Sequence, residues 1–542
     1  MNGALAAGTG TLSGGKAGRP DEPMDSEYYT GAVSDEYAST NGAVTISDGG
    51  VTFTYKQFYG GYSLGTVSEN SITINGGSFE NGCSFLGAYG FSAATGNTLT
   101  ITGGSFGDEN NFWGGSAWNT VSGNSIIISG GSFGINNKFC GGYFGNSISG
   151  NTLTISGGTF GDKNEFYGGY SSNGTVSGNT VKFSGGFFSG GWDFRNIFYG
   201  GYSENDNVTG NMIEISDGTF KGENYFYGGY SKSGEASGNI VKISGGTFMT
   251  FEESIRSIYG GGTLNGGAAN YNEITILDGE FNAVYVNGVS AGGGGEATGN
   301  IVNIFGGTFN DVDFYAADTS GNAYSNVLNI SGGIFQGGCQ FYATCLSSGK
   351  IAENNELNIT GGTFDDGYQL YGGVASSINT GNILNLKIKM GGKATCVENF
   401  QIMNFTLPSD IAKDDIMLST ASVTFDNTTI GVDADNGVKL KKGDIITLIA
   451  ADSKNGDISN ADAYVLDNKT YNDYLLDKII LGYNKIEADI VLLDQGFVDE
   501  EFTADALNKE VILSLCAAKS KALSLGDKES QKCLLLLLLW LY

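Results

Sequence analysis

Charged side chains of the types that do catalysis stand close together in two insertions of this sequence. Trp192, Asp193 and Arg195 lie in the first, and Glu252, Glu253 and Arg256 in the second. Each insertion falls between apolar positions that recur along the chain. Phe188 and Phe198 are ten residues apart, as are Phe248 and Ile258, whereas the same pair is six apart in most of the chain, as at Phe160 and Phe166. Paired carboxylates on one edge of a molecule suit cleavage of a glycosidic bond, one as acid and one as base. The catalytic reading is therefore a polysaccharide-degrading enzyme, lyase or hydrolase. Against it, solvated loops collect charge in any case. The sequence also contains no His, which removes the commonest general base and the imidazole ligands of metal sites. No catalytic, metal-binding or cofactor-binding residue is assigned, and no cofactor is expected.

The cysteines are Cys83, Cys140, Cys339, Cys345, Cys396, Cys516 and Cys533, without a C-x-x-C pair among them. That sets aside zinc ribbons and thioredoxin-type motifs. Only Cys339 and Cys345 are near enough in sequence to invite a disulfide, and isolated buried thiols are the expectation.

A more continuous feature is aromatic. Directly after an apolar position of the repeat come Tyr59, Trp113, Tyr167, Tyr199, Tyr227 and Tyr259, continued by Tyr285, Tyr315, Tyr342 and Tyr371. A second series holds Tyr62, Tyr89, Tyr143, Tyr170, Tyr202 and Tyr230. If the preceding Phe points inward, strand alternation sends the first series outward. An exposed stripe of rings beside glycine would stack on sugar rings or bury against protein, since each ring offers apolar area and a polar tip. Tyr59, Trp113, Tyr167, Tyr199, Tyr227 and Tyr259 are the candidate ligand-binding residues. A second reading stays open, in which the rings belong to the core or stack on one another as a stabilising ladder.

These positions are set by an internal repeat. The segment Asn151-Thr-Leu-Thr-Ile-Ser-Gly-Gly-Thr-Phe160 recurs with its leading Asn at 70, 97, 124, 151, 179, 211, 239, 272, 300, 326, 355 and 382, mostly 26 to 29 residues apart. Leu153 and Ile155 alternate with polar residues, the pattern of a strand with one buried face. Gly157-Gly158 ends that strand, a second short one holds Phe160, and a third is Phe166-Tyr-Gly-Gly-Tyr170. Three such strands per period cannot bury their apolar side alone, whereas stacked copies can. The sequence thus predicts an all-β fold: a parallel β-solenoid of about 12 coils over residues 43–390, preceded by a flexible segment 1–42. At one strand spacing of about 4.8 Å per coil, the rod would be on the order of 60 Å long. Phe79, Phe106, Phe133 and Phe160 should form one internal ladder, and Phe85, Phe112, Phe139 and Phe166 another. Asn97, Asn124 and Asn151 should form an amide ladder. A calcium-binding roll would need more carboxylates than Gly-Gly-Ser-Phe-Gly-Asp at 103–108 supplies. A Thr array for ice binding is broken by Lys182, Glu214 and Lys242.

Composition agrees. Of 542 residues 89 are Gly and only 3 are Pro, so glycine serves turns rather than a collagen helix. With 40% hydrophobic and 16% charged residues the chain should fold along most of its length. A formal charge of -29 repels phosphate backbones and anionic lipid, so nucleic acid is not an expected partner.

From Gly391 glycine thins out and Lys rises. Strand-like runs at Phe400 to Thr406, Ile416 to Phe425, Asp444 to Ala450 and Ile486 to Leu493 suggest a β-rich cap over 391–500. The stretches Asn399-Phe-Gln-Ile-Met-Asn-Phe-Thr-Leu-Pro408, Asp415-Ile-Met-Leu-Ser-Thr-Ala421, Thr429-Ile-Gly-Val432 and Lys442-Gly-Asp-Ile-Ile-Thr-Leu-Ile449 resemble the distal passenger region of Gram-negative autotransporter proteins, ahead of the translocating barrel. The repeats are similar to the β-helical passengers of that family. The resemblance implies a right-handed coil and a passenger displayed at the outer membrane or released from the cell. It implies adhesion or self-association, with host glycans, surface proteins or further copies as partners. Thr503 to Leu525, with Ala504, Ala506, Leu507, Val511, Leu513 and Ala517, has helical composition and resembles the linker helix that threads the barrel. At Leu525 the resemblance ends, and the barrel expected from the family is absent from this chain. Met1 to Gly15 lacks the basic start and apolar run of a signal peptide, and Leu534 to Tyr542 is too short to span a bilayer. Residues 501–542 are expected to hold the linker-like helix and an aberrant apolar tail left by a truncated or shifted reading frame.

Overall fold

The computed structural model describes residues 12–13, 28–34, 38–47, 52–191, 195–249, 257–348, 351–374, 378–435, 437–440, 444–459, 474–481 and 485–492. In the coil that opens at Asn151 the strands are Thr152–Ile155, Thr159–Phe160, Glu165–Ser171 and Thr175–Ser177. Leu153, Ile155, Phe160 and Phe166 face inward and are buried, as strand alternation requires. The coil therefore has four strands, not three. The fourth hangs on one apolar residue, Val176, which stacks in register with Val67, Ala94, Val121, Ile148 and Val208. All six are fully buried, but a lone Val between Thr and Ser is too short a signal to read as a strand.

Within the stack each strand pairs in parallel with its counterpart one coil on, so equivalent residues meet: Phe106 with Phe133, Phe133 with Phe160, Phe160 with Phe188. The fourth strands form a sheet of their own, 13 strands wide. The fold is an all-β, parallel β-solenoid of about 14 turns. The sequence count of 12 is low because the end coils lack the Asn and Gly-Gly motif. Stacking already includes Tyr28–Ser34, paired with Gln57–Ser63. It runs on past residue 390 through Ala394–Leu407, Ile416–Ala434 and Ile445–Ile458. Among the described residues, two antiparallel pairings accompany the stack, Leu12–Ser13 on Ala43–Ile46 and Lys485–Leu492 on Ile445–Ile458.

The core is a set of ladders. Phe106, Phe133 and Phe160 stack with ring centroids 4.7 Å apart at each step. Phe112, Phe139 and Phe166 stack at 4.6 and 4.8 Å. The two columns meet edge to face, as at Phe133 and Phe139, 5.3 Å apart, the arrangement that ring quadrupoles favour. Beside them runs the amide ladder. Asn97 Nδ2 donates to Asn124 Oδ1 at 2.8 Å, and Asn151 Nδ2 to Asn179 Oδ1 at 2.9 Å. The series continues to Asn382, whose backbone N–H donates to Gln401 Oε1 at 3.0 Å. Gly142 leaves room for it, since a Cβ there would lie 2.5 Å from the Asn151 side chain. A second ladder, invisible as a motif, precedes the third strand: the Asn110 N–H donates to Asn137 Oδ1 at 2.9 Å and the Asn137 N–H to Asn164 Oδ1 at 2.8 Å.

The chain falls into two units. The first, Met1–Asn472 with Leu476–Val491, holds the solenoid. The second, Asp473–Leu475 with Leu492–Tyr542, lies almost wholly outside the described residues, and with it the expected linker-like helix and apolar tail.

Candidate functional site

The aromatic stripe lies on the outer face of the third strands. Register puts Tyr59, Leu86, Trp113, Cys140, Tyr167, Tyr199, Tyr227 and Tyr259 in one column. The structure thus brings all six candidate residues into line. Asn287 follows Tyr259, and the column resumes with Tyr315, Tyr342 and Tyr371. Tyr285 is not a member. It sits two residues earlier, between Ser257 and Asp313, because the residue that pairs with Ile258 and Phe314 is Val286.

Outward on this sheet does not mean exposed. Tyr167 stacks on Tyr199 at 5.1 Å, Tyr199 on Tyr227 at 5.2 Å and Tyr227 on Tyr259 at 4.6 Å. The second series, Tyr143, Tyr170, Tyr202 and Tyr230, forms a neighbouring column and meets the first edge to face, as Tyr167 meets Tyr170 at 5.2 Å. Two adjacent columns of rings cover each other. Tyr167 and Tyr199 are only 4% and 8% exposed, and Tyr59, Trp113, Tyr227 and Tyr259 are half-buried. Burial pushes the phenols of Tyr167, Tyr199 and Tyr227 well above their ordinary range, so they stay neutral.

Several hydroxyls of the column are spent along their own strand. Tyr167 Oη donates to Glu165 Oε2 at 2.9 Å, and Tyr342 and Tyr371 donate to Gln340 and Gln369 at 2.6 Å each. Lys138 caps the arrangement. Its Nζ lies 3.0 Å from Glu165 and 5.7 Å from the centre of the Tyr167 ring. Over Tyr167, Tyr199 and Tyr227 the geometry is that of a packed wall.

Exposed rings stand beside this wall, at the corner after the third strand. Leu64, Phe91 and Trp118 take the same place on three successive coils, following Ser63, Gly90 and Ala117, and are 46%, 54% and 50% exposed. The Phe91 and Trp118 ring centroids are 5.8 Å apart. Trp118 Nε1 donates to Tyr89 Oη at 3.3 Å, and Phe144 of the next coil meets the indole edge to face at 5.0 Å. The repeat does not announce this corner, because its aromatic character lasts only these coils. Its visible signal is Trp118, one of 4 Trp in the chain.

The insertion residues Trp192, Asp193, Glu252, Glu253 and Arg256 fall outside the described residues. Arg195 is described, with its guanidinium 5.1 Å above the Tyr225 ring. Two further carboxylates lie on the outer face of a later coil. Burial holds Asp313 up at about 6, with the charge of Asp311 adding to the effect, and burial raises Asp318 too. Cys83, Cys140, Cys339, Cys345 and Cys396 are free thiols. Burial pushes Cys339 and Cys345 up to about 11, which suppresses the reactive thiolate. Cys516 and Cys533 lie outside the described residues.

No family model, curated protein or solved structure matches the chain. Fold and geometry define a class, a β-solenoid repeat protein with a stacked tyrosine wall and an exposed aromatic corner beside it.

Proposed function

We propose that the chain is an adhesion or self-association rod of the passenger type, acting without catalysis at the surface of a Gram-negative cell or after release from it. The observation that carries this reading is the in-register solenoid of about 14 turns, which repeats each outward position once per coil and so offers long columns for multiple contacts. The resemblance of residues 399–449 to distal passenger sequence supports the same reading, with glycans, surface proteins or further copies of the chain as partners. Beads coated with the full chain test it. They should aggregate with one another or be retained on host-cell monolayers, where albumin-coated beads do neither. Release of new reducing ends from neutral or acidic polysaccharides by the chain would instead establish a polysaccharide-degrading enzyme.

A further inference from the structure

We propose that Leu64, Phe91, Trp118 and Phe144 form a binding platform for a neutral glycan chain. The proposal rests on the adhesion reading and gives it a site and a ligand class. Leu64, Phe91 and Trp118 take one place on three consecutive coils, next to the tyrosine wall but outside its cover, and half-buried Phe144 flanks them on the fourth, one residue earlier in register. Phe91 and Trp118 present half their surface to solvent. In the following coils Ser172, Glu204 and Lys232 come after the third strand instead, so the fold does not require rings here.

The platform is preorganised. The indole is held from one side by its N–H bond to Tyr89 Oη and from the other by the edge of Phe144. Phe144 itself is in the left-handed backbone region at φ 60, a costly conformation for a bulky residue that persists where the surroundings impose it and is found at binding sites.

The chemistry of the corner selects the ligand. Exposed Ser92, Asn119 and Asn146 follow one or two residues later on the same coils, so a column of hydroxyl and amide groups runs beside the apolar one. A pyranose chain carries the complementary pattern, with C–H faces that lie on aromatic rings and hydroxyls that exchange hydrogen bonds with amides. The stretches 62–68, 89–95, 116–122 and 143–149 contain no Lys, Arg, Asp or Glu. With a chain charge of -29 and no cation at the corner, an acidic polysaccharide would be repelled. A protein partner would want a broader patch, on the order of 800 Å² per side, than four side chains with polar groups beside them supply.

The test uses the full chain and four insoluble neutral probes, cellulose, β-1,3-glucan, mannan and starch, with polygalacturonate as the acidic contrast. At least one neutral polysaccharide should deplete the chain from solution. The double variant Phe91→Ser, Trp118→Ala should lose that retention by about tenfold or more, as truncation of aromatic hot spots does, with its strand signal in circular dichroism unchanged. Leu264→Ser, an exposed apolar position on a later coil, should retain it. The platform is overturned if no neutral probe binds, if the double variant binds as well as the unchanged chain, or if polygalacturonate binds equally. It is also overturned if the double variant loses retention on a deglycosylated protein surface but keeps it on the glycans. Coated beads that still aggregate or adhere when the platform has failed leave the adhesion reading standing. Beads of the unchanged chain that neither aggregate nor adhere, although a neutral glycan retains the chain through this corner, overturn the adhesion reading alone.

Discussion

Asn124 and Asn151 are joined twice across one coil step. The backbone N–H of Asn124 and its side-chain amide both donate to Asn151 Oδ1, at 3.0 and 2.9 Å, and both residues are fully buried. Asn151→Ala removes that acceptor and leaves two donors in the interior without it, at about 1 to 3 kcal/mol each. The expected loss is about 3 kcal/mol or more. Coils are coupled mainly to their neighbours, so amide hydrogen exchange should speed up between Asn124 and Asn179 and stay unchanged near Asn355. Uniform acceleration along the rod would contradict this.

Phe160→Ala opens a hole in the doubly packed ring column. Phe160 stacks between Phe133 and Phe188 at 4.7 and 4.6 Å and meets Phe166 edge to face at 5.5 Å. Truncation should cost about 3 to 5 kcal/mol, read as a lowered guanidinium chloride midpoint. The adjacent, outward Thr159→Ala should stay within about 0.5 kcal/mol.

Two glycines of the same coils fail for different reasons when a methyl is added. Gly150 has φ 63 and open space around the Cβ position, so Gly150→Ala should lose only the backbone cost, about 1 to 2 kcal/mol. Gly142→Ala would drive its Cβ to 2.5 Å from the Asn151 side chain. It should be the more damaging of the two in the same denaturation assay, and a ranking the other way would show that the ladder yields easily.

The Phe and Asn ladders were legible in the sequence because each is a large or polar residue recurring at one fixed place in the period. Parallel register then places like on like. The fourth strand was not legible, since Val176 is a single apolar residue between polar ones. Tyr285 follows the apolar Val284 and so imitates the stripe. Only the pairing of Val286 with Ile258 shows the offset of two. Exposure of the tyrosines was beyond reach for a further reason. Alternation assigns a face, but the cover on that face comes from the neighbouring column, as Tyr170 covers Tyr167. The exposed corner was hidden because Phe91 and Trp118 belong to no long column.

Stability should respond to pH through Asp313. Burial raises its pKa to about 6 from an ordinary 3.8, with Asp311 adding, and the Tyr315 hydroxyl at 3.5 Å opposes the shift. Because the folded-state pKa lies above the unfolded one, the folded chain holds more protons between these values. This group's contribution is therefore most favourable at low pH and falls as pH rises through about 6. Asp313→Asn removes this group's share of the dependence. The variant's advantage in denaturation midpoint should be small at pH 4 and grow toward pH 7, and a shrinking advantage would reverse the assigned sign.

The tyrosine wall and the aromatic corner make opposite predictions. Tyr167 and Tyr199 are buried and Tyr227 is half-buried among stacked rings. Changing all three to Ser should lower the denaturation midpoint sharply, since truncating a buried aromatic costs about 3 to 5 kcal/mol. Trp118 is half-exposed, and Trp118→Ala should leave the midpoint almost unmoved while reducing retention on the neutral polysaccharide. Measuring midpoint and retention on both variants separates packing from recognition. A triple variant that keeps its midpoint but loses retention would return the ligand site to the tyrosine column. The wall would then have to open for its ligand, because closed rings such as Tyr167 offer almost no surface to touch.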